Sequence, residues 1–265
     1  MASEEGIAEG VRDLLGLLAY AELVAFFRLS EDAALASSLS DKAALGEMAV
    51  AEFGHFQLLR GHIARMDVPP EQAMQPFVGP LDDFHARTAP ANWLEGLVKA
   101  YVGDGIAADF YRAIAELLDP PTRQLVLEVL ADTGHADFVT SRVRAAIDAD
   151  PAVAGRLALW ARRLVGEALA QAHRVAAERA PLATLLAGAV TGQNGPGGEQ
   201  GEIGRMFARL TDAHDERMTA LGLAGWERAP EAEPPGPVSS QADGGPVGSQ
   251  ADAGPVGPHA DAGAG

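Results

Sequence analysis

Residues 51–55, AEFGH, and residues 131–135, ADTGH, decide which fold this sequence is expected to adopt. Both stretches read Ala, an acid, any residue, Gly and His, and both lie in segments whose apolar residues recur every three to four positions. That period is typical of amphipathic helices. An acid and a histidine three residues apart project from the same helix face. Carboxylate together with imidazole is a ligand mixture that suits Fe, Mn or Zn.

Each stretch follows another acidic residue at a similar distance. Glu22 lies 30 residues before Glu52, and Asp104 lies 28 residues before Asp132. If each pair of helices forms an antiparallel hairpin, these spacings bring the two acids of each pair to the same height. The sequence therefore predicts a four-helix bundle with a di-metal site built from Glu22, Glu52, His55, Asp104, Asp132 and His135.

The residues around these acids predict that the acids are buried. Glu22, for example, is flanked one turn away by Leu18 and Phe26. A buried carboxylate is costly unless it is paired or bound to a cation, and four acids that face one another also repel. Two divalent cations would balance the four carboxylate charges. A metal-free bundle would instead need its acids to pair with Arg60, Arg112 or one another.

Helical periodicity covers most of the chain and strand-like alternation is absent from the sequence, so we predict an all-α fold. The predicted helices span 7–30, 41–66, 92–118, 120–148, 151–179, a short segment from 181, and 202–221. The proline-rich stretch 67–90 is predicted as a long loop that crosses over between two helical hairpins. We expect a ferritin-like helical domain over 7–222, with the di-metal core in 7–148 and additional helices in 151–222. Residues 227–265, which contain Gly/Pro/Ala-rich repeats of nine residues, are predicted to be a disordered tail.

Composition excludes several classes of site and partner. The chain has no cysteine, which excludes disulfides, thiolate zinc sites, iron–sulfur clusters and a cysteine nucleophile. Its formal net charge of −17 opposes non-specific binding to nucleic acid. No apolar run approaches the roughly 18 residues of a membrane span, and the acidic N-terminus lacks the basic region of a signal peptide. We therefore expect a cytoplasmic protein without membrane association.

The paired motifs resemble the ferritin-like di-iron carboxylate superfamily. Its signature is one Glu on each of two helices and a Glu-x-x-His on each of the other two. On this resemblance the six predicted ligands take the signature positions, with Glu22 and Asp104 as the two lone acids. The resemblance implies two bound iron ions, with manganese as an alternative metal. Asp104 and Asp132 depart from the signature because each is one methylene shorter than Glu, which weakens the second metal site.

Within that superfamily, residues 16–179 resemble the tRNA hydroxylase family that acts on 2-methylthio-isopentenyl-adenosine, and a shorter hydroxylase-like relative of it. The segments AEFGHF, WLEGLVKAYVGDGIAADFY and ADTGHADF carry this likeness. It implies an O2-dependent di-iron hydroxylase that takes electrons from an external reductase or ferredoxin. It also makes tRNA a candidate partner, which the net charge opposes, and a small hydrophobic substrate is an equal alternative.

The sequence leaves other functions and residues open. An iron-storage or ferroxidase protein, or a metal-free helical interaction protein, would use the same bundle. Asp109 is a rival to Asp104, and Glu128 is an alternative or supporting ligand. Glu167 is either a buried acid near the site or half of a surface ion pair. The arginine-rich stretch 142–179 is either a phosphate-facing surface or a solvated face with ion pairs. The oligomeric state is not defined by the sequence.

Aromatic and histidine residues near the predicted site have alternative roles. Tyr20 and Tyr101 occupy parallel places beside Glu22 and Asp104, and they are predicted to be core residues or hydrogen-bond partners of a ligand. His85, in the predicted crossover, is a candidate for a substrate mouth, although a position without such a role is the simpler expectation.

Overall fold

Helices form every regular element in the described part of the chain, which confirms the predicted all-α fold. The computed structural model describes residues 4–116, 118–131, 135–191 and 199–225. The helices are α1 (Glu4–Leu35), α2 (Leu39–Ala64), α3 (Pro70–Arg87), α4 (Trp93–Ala115), α5 (Pro120–Val129), α6 (His135–Ala149), α7 (Ala152–Glu178), α8 (Ala180–Thr191) and α9 (Glu199–Leu221). These residues belong to one compact unit within Met1–Ala229. The predicted tail, from 227, lies outside the described residues.

Polar side chains cap the starts of α2 and α4. Ser38 Oγ accepts a hydrogen bond from the backbone N–H of Asp41 at 3.0 Å. Asn92 Oδ1 accepts one from the backbone N–H of Glu95 at 3.1 Å. These caps satisfy donors that the first helical turn leaves unpaired, so both helices begin at defined residues. The starting residue of each helix sets the height of the acids that follow.

The crossover predicted as a loop over 67–90 contains an 18-residue helix, α3, so that prediction is wrong in its local structure. Pro70 lies in the first turn, where a missing N–H costs nothing. Pro76 and Pro80 lie inside the helix, where each removes a backbone hydrogen bond. Burial of Met74 and Phe77 against α1 and its neighbours offsets that cost.

The single fourth helix predicted over 120–148 is also wrong, because two helices occupy this stretch. Leu130 caps the C-terminus of α5, Ala131 is not helical, and α6 begins at His135. Arg112 of α4 donates a hydrogen bond from Nη2 to the Leu130 carbonyl oxygen at 2.7 Å. This contact satisfies a carbonyl at the end of α5 that a continuous helix would have used internally.

The buried apolar residues form two separate clusters. The first cluster includes Leu29, Met48, Val102 and Val139. The second cluster includes Leu18, Leu59, Ile114 and Val126. Both clusters include buried residues of α1, α2 and α4. The first cluster also includes residues of α6, and the second includes residues of α5. A layer of the bundle between the clusters is therefore free for polar side chains. Glu22, Glu52 and Asp104 fall between the two sets along their helices, and His135 begins α6 just before its residues of the first cluster.

No helix in the described ranges has an apolar stretch of the length that crossing a bilayer requires.

Candidate metal centre

Glu22 of α1 meets Glu52 and His55 of α2 between the two apolar clusters. His55 Nδ1 lies 3.3 Å from Glu22 Oε2 and 3.6 Å from Glu52 Oε2. Each of the three residues offers one potential ligand atom, and these three atoms lie within 4.8 Å of one another. The three-residue spacing puts Glu52 and His55 on one face of α2. Packing of α1 against α2 adds Glu22, so the structure brings three of the six predicted ligands together.

Burial couples the protonation of these three groups. Burial, followed by the carboxylate of Glu52, raises the pKa of Glu22 well above its ordinary value of 4.5. Burial acts in the same direction on Glu52, but the combined effect of Glu22, His55 and His135 outweighs it and lowers the pKa of Glu52. The carboxylates of Glu22 and then Glu52 raise the pKa of His55 from 6.5 to about 10. Without a metal, protons on His55 and Glu22 therefore supply the positive charge and hydrogen bonding that ionised Glu52 requires.

Two atoms of this group are buried without a hydrogen-bond partner among the described residues, Glu22 Oε2 and His55 Nδ1. They lie 3.3 Å apart, yet their geometry is not that of a hydrogen bond. Buried polar atoms without partners are rare and costly. A cation between them would satisfy both atoms, and two carboxylates with one imidazole match the preferences of iron, manganese and zinc. The residues present therefore fit a metal ion.

Asp104 of α4 and His135 of α6 lie close enough to the group to act on Glu52 electrostatically. The charge of His135 lowers the pKa of Glu52. Desolvation by the surrounding protein, and then the charge of Glu52, raises the pKa of Asp104. Asp104 is nevertheless exposed, so water reaches the polar layer at this residue. Asp132, the sixth predicted ligand, lies outside the described residues.

The packing of α1 against α4 explains the height of Asp104. Gly96 leaves room for the Asp32 side chain of α1 against α4, because a Cβ at this position would lie 2.8 Å from Asp32 Oδ2. Further along α4, the charge of Glu22 acts on buried Tyr111, so the two helices run antiparallel. Asp104 follows Gly96 by eight residues and is therefore level with position 24 of α1, within one turn of Glu22.

The acids named as alternatives to the predicted ligands have other surroundings. Asp109 Oδ2 accepts a hydrogen bond from Arg217 Nη1 at 2.6 Å. Glu128 is exposed on α5. Glu167 Oε2 lies 3.8 Å from Arg87 Nη1, as in the surface ion pair that was one of its two expected roles. The structure gathers none of these three acids with Glu22 and the residues around it.

The arginines that a metal-free bundle would use as counter-ions are engaged elsewhere. Arg60 Nη2 lies 3.0 Å from Glu71 Oε1, and Arg112 binds Asp109 and the Leu130 carbonyl. Glu22 and Glu52 therefore obtain their positive charge from protonated histidine or from a cation, while the charge of Lys99 acts on Asp104.

Several arginines of the 142–179 stretch take part in contacts within the chain. Arg156 Nη2 lies 3.8 Å from Asp150 Oδ2, and Arg174 Nη2 donates to Asp83 Oδ2 at 2.6 Å. Arg163 Nη2 donates to a backbone carbonyl oxygen at 2.6 Å. These contacts match the solvated face with ion pairs more closely than a surface of unpaired arginines.

Tyrosine packing differs from the parallel arrangement that the sequence suggested. Tyr20 donates a hydrogen bond to Asp82 Oδ1 at 2.8 Å, and burial with that contact raises its pKa to about 12. Tyr101 packs partly buried against the first apolar cluster. Tyr111, which sequence reasoning missed, is buried and has its pKa raised by burial and by the charge of Glu22. Its position seven residues after Asp104, two turns along α4, was the signal that could have identified it.

Comparison with known proteins places this geometry in a family. A family model described as "Ferritin-like domain, actinomycetes" matches residues 6–189. A search of curated proteins found no match. The matched region covers more than half of the chain and includes every predicted metal ligand. The chain therefore belongs to the actinomycete ferritin-like domain family.

Proposed function

We propose that this protein is an O2-dependent di-iron oxidoreductase of the hydroxylase type. The observation that carries the proposal is the group Glu22, Glu52 and His55, buried between two apolar clusters, with two polar atoms that lack partners. Membership of a ferritin-like family supports it, because proteins of this fold build di-metal sites from inward carboxylates and histidines.

In the proposed site, Glu22, Glu52 and His55 hold the first ion. Asp104, Asp132 and His135 would hold the second, and Glu52 interacts electrostatically with both Asp104 and His135. When bound, iron supplies the binding and reduction of O2. The two aspartates are shorter than glutamate, so we expect the second ion to bind more weakly. An external reductase or ferredoxin is the proposed source of electrons.

The chain's own residues prepare this site in three ways. The apolar clusters on either side keep Glu22, Glu52 and His55 largely away from water and strengthen the electrostatic interactions among them. His55 gives up a proton from its ring when a cation replaces that charge. Tyr111, buried near Glu22, carries its phenolic proton at neutral pH, as tyrosine ordinarily does, and can donate a hydrogen bond.

An anaerobic titration of the full-length chain with ferrous ion tests this function. We expect about two ions per chain, one bound more tightly than the other, and O2 consumption by the loaded protein when a chemical reductant is present. His55→Ala should remove the tighter site and His135→Ala the weaker one. His173→Ala, at an exposed histidine, is the matched control and should retain both sites.

Three other results would contradict the hydroxylase proposal. Failure to bind iron, with His55→Ala and His135→Ala indistinguishable from wild type, would favour the metal-free interaction protein. Continued oxidation and storage of iron in a large hollow assembly, measured by sedimentation, would favour a storage protein. Iron binding without reductant-dependent O2 consumption would remove the oxygenase chemistry and leave only a metal site. Modified-adenosine tRNA and small hydrophobic compounds are the two substrate classes to compare once O2 consumption is established.

A further inference from the structure

A cavity lies near the end of α1, apart from the group of Glu22, Glu52 and His55. Its volume is about 250 Å³, and its walls come from the end of α1, the end of α3, the α3–α4 connection and the start of α4. The cavity is lined by Arg28, Glu31, Asp32, Leu35, His85, Ala89, Pro90 and Lys99. Arg28 follows Glu22 by six residues, so it lies about 9 Å from Glu22 along the axis of α1.

Lys99 is the most unusual residue of this cavity. It is one of only two lysines in the chain, and it is 7% exposed. Its Nζ donates a hydrogen bond to the Thr88 carbonyl oxygen at 2.7 Å and lies 5.6 Å from the centre of the Phe84 ring. An ammonium group has three N–H donors, and Lys99 forms no salt bridge within the described residues. Two of its donors therefore lack a protein acceptor there.

Other unpaired groups of the cavity are also nitrogen atoms. Arg28 Nη1 pairs with Glu31 at 2.7 Å, but Arg28 Nε is buried without a partner. His85 Nδ1 is likewise buried and unpartnered, and burial lowers the pKa of His85 to about 3, so its ring is neutral. Since a guanidinium Nε and an ammonium can only donate, the unmet hydrogen bonding of the cavity calls for an acceptor.

Asp32 limits how much negative charge the cavity accepts. Gly96 lets this carboxylate lie against α4, where its charge acts on Lys99 without forming an ion pair. Glu31 also lines the cavity and pairs with Arg28, so two carboxylates already lie near the two cations and a dianion would be repelled. Leu35, Ala89 and Pro90 provide apolar wall, which suits a short hydrocarbon group.

We infer that this cavity binds a small organic monocarboxylate. The carboxylate accepts hydrogen bonds from Lys99 Nζ, the positive charge of Arg28 adds to the attraction, and the apolar part of the molecule lies against Leu35 and Pro90. Charge-assisted hydrogen bonds to a buried ammonium are the strong kind. The inference does not depend on the proposed metal chemistry, because every group that carries it lies outside the predicted ligand set.

The two lysines make a direct test possible. Full-length protein labelled with ¹³C at lysine Cε should give one resonance for Lys99 and one for Lys42, and hexanoate serves as the probe. We expect hexanoate to shift the Lys99 resonance saturably and to leave Lys42 unchanged. Hexanamide, its neutral counterpart, should bind at least about tenfold more weakly because it lacks the charge.

Variants separate the proposed contacts from folding. Lys99→Met keeps most of the side-chain volume and should weaken hexanoate binding, measured by calorimetry, by about tenfold or more. Lys42→Met removes an exposed lysine and should bind hexanoate like wild type. Asp32→Asn should tighten hexanoate binding severalfold, because it removes the competing negative charge. If Lys99→Met does not fold, Arg28→Gln provides the second loss-of-binding variant.

Three results would overturn the inference. The first is an unshifted Lys99 resonance at saturating hexanoate. The second is equal affinity for hexanoate and hexanamide. The third is weaker hexanoate binding in Asp32→Asn, which would indicate that this carboxylate recognises a donor on the ligand.

Discussion

At the scale of single residues, the proposed metal ion would compete with protons for His55. The pKa of His55 is raised to about 10 by Glu22 and Glu52, and the pKa of Glu22 is raised as well. His55 is therefore protonated at neutral pH in the metal-free protein and must lose that proton before its nitrogen can bind a metal.

We predict that metal binding releases protons at pH 7 and becomes tighter as pH rises toward 9. Calorimetry of Mn²⁺ or anaerobic Fe²⁺ binding, performed in buffers of different ionisation enthalpy, measures the number of protons released. His55→Ala should release fewer protons. Binding with no proton release, or binding that weakens as pH rises, would contradict the predicted ligand set.

Lys99 gives a second pH dependence. Burial lowers its pKa, whereas acidic neighbours raise the pKa of His55. The pKa of Lys99 falls from 10.5 to about 8 through this burial, with charges on Asp32, Arg28, Asp104 and Glu31 also acting on it. Between pH 8 and 10.5 the unfolded chain keeps the lysine proton that the folded chain has lost, so this group makes stability rise with pH.

We predict that the wild type gains up to about 3 kcal/mol over this interval relative to Lys99→Met. Urea unfolding of both proteins at several pH values measures the difference, which cancels the contributions of other titrating groups. Parallel pH profiles for the two proteins would show that Lys99 titrates normally.

At the scale of helices, close approaches between elements depend on particular glycines. Gly16 of α1 lies directly against the backbone of Ala73 in α3, and a Cβ there would overlap the Ala73 carbonyl. Gly46 of α2 is also helical, and no atom lies within 4 Å of the Cβ that alanine would add.

We predict opposite effects for the same substitution at these two positions. Gly16→Ala should destabilise the protein by about 1 to 3 kcal/mol, because the backbone of α3 must move. Gly46→Ala should stabilise it by up to about 1 kcal/mol, because alanine favours the helix. Denaturant unfolding measures both, and a stabilising Gly16→Ala would contradict the described packing of α1 on α3.

At the scale of the whole molecule, the group of Glu22, Glu52 and His55 joins α1 to α2. The proposed second ion would join these helices to α4 and α6. A ligand that binds only the folded state raises the unfolding temperature by mass action. We predict that Fe²⁺ or Mn²⁺ at about 100 times its Kd stabilises the protein by about 3 kcal/mol.

Thermal unfolding with and without metal measures this effect, and a chelator should reverse it. His55→Ala should lose most of the stabilisation, while His173→Ala should keep it. An unfolding temperature that does not respond to metal in the wild type would count against the proposed site.

The sequence by itself determined the all-α fold, because apolar residues at three- and four-residue spacing define the buried face of each helix. It also identified the neighbourhood of Glu22, Glu52 and His55. Short-range spacing puts Glu52 and His55 on one face, and a hairpin of two long helices puts Glu22 at their height. These relations depend on helix geometry and on one short connection, both of which are local.

Tertiary packing decided the rest. Helix α3 forms despite Pro76 and Pro80 because Phe77 is buried between elements, and α5 ends where Arg112 of another helix reaches the Leu130 carbonyl. The nearness of Tyr111 to Glu22, and the cavity around Lys99, depend on the position of α4 along α1. That register is set by contacts such as Gly96 on Asp32, which involve residues 64 positions apart and leave no periodic pattern in the sequence.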